Sequence, residues 1–76
     1  MTVTQQEIKE ILEEAETMAD INSLKNEIAL TEQDIDSLDM ANVYLMIEEK
    51  YDIKIADDDI KELSSIDKIV SYLSKK

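Results

Sequence analysis

Apolar residues recur along this chain with changing spacing, and each spacing assigns an element. Ile8, Ile11, Leu12, Ala15, Met18 and Ala19 follow one another at helical intervals with acidic residues between them. This predicts a one-faced amphipathic helix from Thr4 to Ala19. Thr4, with Glu7 three positions on, has the form of a capping box at its start. From Asp20 to Asp36 no single period fits, because Ile21, Leu24, Ile28, Leu30 and Ile35 are scattered among Asn, Ser, Thr and charged residues. That stretch reads as a long loop able to hold a helical turn, its apolar residues plugging the core. Connections of this length are uncommon in small domains and tend to serve function.

Asp36-Ser37-Leu38-Asp39 opens a second helix that runs to about Tyr51. Rotating about 100° per residue sorts its side chains onto two faces. Met40, Val43, Tyr44, Ile47 and Tyr51 fill one broad arc suited to the core. Leu38, Ala41 and Leu45 fall on the other side, beside Asn42, Glu48 and Glu49. A helix in a small domain needs only one buried stripe, so an apolar strip edged with acid has the composition of a recognition surface.

After Ile53 and Ile55, Asp57-Asp58-Asp59 precede Ile60 and Leu63. This predicts a short helix with a solvated acidic cap at its positive end. Ser64 or Ser65 caps a last helix carrying Ile66, Ile69, Val70 and Leu73. Strand signals are lacking, and Gly and Pro are absent, so turns carry no marker of their own. The expected fold class is all-α: a small four-helix bundle with a long first loop and a short third helix, residues 1–76 forming one domain.

Composition narrows the functions. Nineteen acidic against 8 basic residues leave a net charge of −11 on 76 residues, which repels nucleic acid. No apolar run approaches a membrane span, and the first residues lack the regions of a signal peptide, so a cytoplasmic location is expected. The chain is also expected to be a monomer. With no Cys and no His, the chain has no thiol nucleophile, imidazole base, disulfide or ordinary zinc site. Direct enzymatic activity is not expected. Nor is a metal site: an EF-hand register beginning at Asp34 places Asp39 where Gly is required and Leu45 where Glu is required. Met18, Met40 and Met46 read as adaptable fillers of core or groove.

Two meanings are open for the opening of the second helix. Asp36 or Ser37 is by itself an ordinary N-cap, with Asp39 placed to answer the helix dipole. The same residues resemble the attachment motif of the acyl carrier protein family. The resemblance continues from Asp36 to Leu73 through the pair Glu48-Glu49, the aromatic Tyr51, the Ile53-x-Ile55 pair before the acidic short helix, and Ser65-Ile66 opening the last helix. It implies that Ser37 receives a 4′-phosphopantetheine arm from coenzyme A, added by a separate phosphopantetheinyl transferase with magnesium. The arm would carry acyl intermediates as thioesters, and its thiol would supply what this chain lacks.

The family precedent gives Asp36 a role in docking or metal contact during that transfer. It makes Leu38, Asp39, Ala41, Asn42, Leu45, Glu48 and Glu49 the face gripped by basic patches on acyl-transfer and chain-modifying enzymes. From Leu30 to Leu63 there are seven Asp and four Glu against three Lys, so negative charge gathers around Ser37. The chain departs from the family pattern at Gln33-Asp34, where Leu-Gly is usual, so the loop must turn without glycine. Asn42 replaces a common acidic residue and Ala41 a common Val, which suits a specialised carrier in a dedicated pathway at least as much as the housekeeping fatty-acid one. A reading from another class is an acidic adaptor or inhibitor that uses the same strip without a covalent arm.

Overall fold

The computed structural model describes residues 2–15 and 20–75. In chain order they form α1 (Gln5–Glu14), α2 (Ser37–Tyr51), a short helix of 3-10 type (Asp57–Leu63) and α3 (Ile66–Ser74). Two further 3-10 turns, Ile21–Ser23 and Leu30–Glu32, punctuate the first connection. No strand occurs among the described residues, and the architecture is the all-α, four-helix one that the hydrophobic pattern predicts.

Each of the three α-helices begins at a side chain that satisfies an otherwise unpaired backbone amide. Thr4 Oγ1 accepts the Glu7 N–H at 3.2 Å, half of the expected capping box. The Glu7 carboxylate accepts the Tyr51 hydroxyl at 2.9 Å and so ties α1 to the end of α2. Met18 and Ala19, assigned to α1 by their spacing, lie outside the described residues. At α3 the cap is Ser65, whose buried Oγ accepts the Lys68 N–H at 3.2 Å.

The acidic run behaves differently from the expectation. The N-cap of the short helix is Ala56, which makes no side-chain capping bond, and Asp57, Asp58 and Asp59 form the first turn itself. Asp59 is no solvated cap, because its Oδ2 accepts the Tyr72 hydroxyl at 2.9 Å from α3. Three residues per turn place Ile60 and Leu63 on one side, yet Leu63 reaches the core while Ile60 is exposed.

The core joins Ile8, Ile11 and Leu12 of α1 to Met40, Val43 and Ile47 of α2, with Ile66, Ile69, Tyr72 and Leu73 of α3. Leu24, Leu30 and Ile35 of the first connection are buried with them. Complete burial of a Leu or Ile contributes about 1.5–3 kcal/mol, so this loop holds the bundle together as a helix face would. Its backbone is fastened to the start of α3: the Leu30 N–H donates to Ser64 O at 2.7 Å, and the Asp67 N–H to Asn26 O at 3.0 Å.

Burial first, then the hydrogen bond to Glu7 and the negative charges of Glu7 and Glu10, hold the Tyr51 hydroxyl above its ordinary value of 10.0. The folded chain therefore keeps a proton that the unfolded chain releases, so this stabilisation is complete below pH 10.0 and declines as pH rises further. In urea unfolding, the wild type should lose stability more steeply than Tyr51→Phe above that pH. A difference between the two that is constant across alkaline pH would contradict the assignment.

Candidate functional site at the start of α2

Asp36 is extended, with φ −83 and ψ 173, and its Oδ1 accepts the Asp39 N–H at 2.9 Å. Its carbonyl accepts the Met40 N–H at 3.0 Å, the first bond of the helical ladder. Asp36 is therefore the N-cap, and Ser37 is the first residue of the helix. Ser37 is exposed, and its hydroxyl makes no hydrogen bond to the described residues. Of the two candidates for capping, the carboxylate takes the duty and leaves the hydroxyl without one. The chain has no His or Cys, and the neighbouring Asp36 carboxylate is occupied by the Asp39 amide rather than by the Ser37 hydroxyl.

The two-faced division of α2 is present in three dimensions. Met40, Val43 and Ile47 are buried, with Tyr44 and Tyr51 half-buried beside them. On the other side Leu38 is 77% and Leu45 57% exposed, so both stand open to solvent. Ala41, Asn42 and Glu49 are exposed as well, while Asp39 and Glu48 are half-buried. Leu38, Ala41, Asn42, Leu45 and Glu49 thus share the solvent-facing side of α2 beyond Ser37, with the half-buried Asp39 and Glu48 at its margins. Glu48 has a second task that spacing did not reveal: its Oε2 accepts the Ile55 N–H at 2.7 Å.

The loop leading into the site is shaped by the two residues that depart from the family pattern. Asp34 takes φ 69, the left-handed region that glycine enters most readily and that Asp tolerates better than most residues. Gln33 folds back over the loop: its Oε1 accepts the Lys25 N–H at 2.7 Å, and its Nε2 donates to Lys25 O at 3.0 Å and Ile28 O at 2.8 Å. A side-chain amide therefore braces a turn that has no glycine. The far end of α2 solves the same problem with Asp52 at φ 53, in the left-handed cap position where glycine is usual. Among the described residues no group of three or more carboxylates is arranged to hold a metal ion, and no described helix is long and apolar enough to cross a membrane.

A family model described as a phosphopantetheine attachment site matches residues 6–73, which takes in the whole of α2 and its approach. The chain belongs to the acyl carrier protein family. It is 34% identical over 79 residues to the meromycolate extension acyl carrier protein of Mycobacterium tuberculosis, covering 99% of this chain and 69% of that one. It is 30% identical over 76 residues to the acyl carrier protein of Buchnera aphidicola, covering 100% of this chain and 96% of the relative. A third relative, the acyl carrier protein of Rhodococcus erythropolis, is 32% identical over 69 residues, 91% of this chain and 76% of its own length. The carrier's cofactor is accordingly covalent 4′-phosphopantetheine, and an acidic adaptor working without an arm is not favoured. Membership places the chain among carriers acted on by acyl-handling enzymes rather than among catalysts.

Separate duties for Asp36 and Ser37 should separate in stability measurements. Asp36→Ala removes the cap and should cost about 1 kcal/mol in urea unfolding, whereas Ser37→Ala should stay within about 0.5 kcal/mol of wild type. Equal losses in the two variants would show that the hydroxyl has a structural role after all. For the loop, Asp34→Val should lower stability by about 1–2 kcal/mol and Asp34→Gly should not lower it. A loss in the glycine variant as large as in the valine variant would contradict the left-handed assignment.

Proposed function

We propose that Ser37 is the residue that receives the phosphopantetheine arm from coenzyme A, through a separate transferase working with magnesium. The observation that carries this reading is an exposed hydroxyl in the first turn of α2, released from capping by Asp36. The place suits an anionic phosphodiester, because the first turn presents unpaired amides and the positive end of the helix dipole. The arm supplies a terminal thiol on which an acyl group is held as a thioester. Ser37 provides the anchoring oxygen, and the proton it loses goes to a base on the transferase, since the hydroxyl is hydrogen-bonded to no carboxylate among the described residues and the Asp36 Oδ1 is engaged by the Asp39 amide.

Leu38, Asp39, Ala41, Asn42, Leu45, Glu48 and Glu49, with Asp36 at the mouth, form the face that partner enzymes engage. Its negative field draws a basic partner patch over distance, and the exposed Leu38 and Leu45 give a small apolar contact on arrival. Such encounters are fast and weak, as a shuttle requires. The chain then serves as one carrier domain, without catalysis of its own, in fatty-acid, polyketide or a related dedicated biosynthesis. Asn42 and Ala41 tune the face toward a particular set of partners.

Incubation with coenzyme A, magnesium and a phosphopantetheinyl transferase should add the mass of one arm to the wild type and none to Ser37→Ala. Modification of Ser37→Ala would overturn the assignment. The kcat/KM for the reaction should fall at least several-fold as ionic strength rises from about 0.01 M to about 0.15 M, because screening shortens the reach of the steering field. A rate indifferent to salt would count against electrostatic docking.

A further inference from the structure

Glu48 stands where the α2 strip meets the connection that carries the short helix. Its carbonyl accepts the Asp52 N–H, which closes α2, and the Ile53 N–H at 3.1 Å. Its side-chain Oε2 accepts the Ile55 N–H at 2.7 Å. One residue thus holds the amides of Asp52, Ile53 and Ile55. The short helix that follows has no side-chain cap at Ala56, packs against α3, and is fastened there by the Tyr72 hydroxyl on Asp59. The Glu48 carboxylate is therefore the side-chain bond by which α2 holds the start of that segment, with Ile53 and Ile55 half-buried against the core.

The same carboxylate is half-buried at the acidic strip, three residues after the exposed Leu45 and next in sequence to the exposed Glu49. An ammonium or guanidinium forms a stronger, charge-assisted bond to a carboxylate than a neutral amide does. We propose that Glu48 is a positioning residue that couples docking to the connection after α2. A basic partner side chain that draws the carboxylate to itself releases the Ile55 amide, loosens residues Ile53 to Ile55 and the start of the short helix, and makes those two isoleucines available to the same partner. This rests on the reading of the α2 strip as the docking face.

Amide hydrogen exchange on the full chain, followed by NMR, tests it with a phosphopantetheinyl transferase as the probe. Glu48→Ala should speed exchange at Ile55 about tenfold and leave the Lys68 amide, held by Ser65, unchanged. Glu48→Gln keeps an acceptor and should retain the protection. Adding the transferase should speed Ile55 exchange several-fold in the wild type and much less in Glu48→Gln, a contrast that a purely structural brace would not produce. Unchanged or slowed Ile55 exchange, while the signals of Leu38 and Leu45 show the transferase bound, overturns the proposal. Binding that leaves Leu38 and Leu45 unperturbed overturns the docking face itself, and the proposal with it.

Discussion

When Asp36 Oδ1 takes the Asp39 amide, the first turn of α2 closes without help from Ser37. Much else follows from that bond. It sets where the helix begins, and along the helix Met40, Val43 and Ile47 meet the core while Leu38, Ala41 and Leu45 remain outside. A helix begun one residue later would rotate none of these side chains, but it would engage the Ser37 hydroxyl as the capping acceptor for a backbone amide. The division of labour between a carboxylate that caps and a hydroxyl that does not leaves the proposed anchoring oxygen open at no structural cost.

A second constraint is charge. A net charge of −11 on 76 residues opposes compaction, and the chain answers with a continuous apolar core to which even the first connection contributes. Several carboxylates are put to structural use as acceptors: Glu7 for Tyr51, Asp59 for Tyr72, Glu48 for Ile55. The exposed remainder supplies the field around the start of α2. Under the proposed function, acidity serves packing and recognition together, and Glu48 does so within one side chain.

The periodic parts of the fold were legible in the sequence. The start of α1, the span of α2 and the buried stripe of α3 follow from apolar spacing and capping residues, since both are local. The motif at Asp36 and Ser37 was legible too, but which of them caps the helix depends on backbone geometry that spacing does not carry. Hydrogen bonds between distant residues left no local signal: Tyr51 reaches Glu7, and Gln33 clasps Lys25 and Ile28. The acidic run misled because helix-cap reasoning treats Asp57, Asp58 and Asp59 alike, whereas α3 brings a tyrosine to Asp59. Left-handed turns were foreseeable only as a problem, since a chain without glycine must place some other residue there, and Asp34 and Asp52 are the ones it uses.

Whether the Ser37 hydroxyl is without structural duty is decided by thermal unfolding of the same protein before and after the arm is attached. An arm hung on an exposed oxygen should leave the midpoint nearly where it was. A fall of many degrees on attachment would show that the hydroxyl, or the turn around it, is part of what holds the fold together.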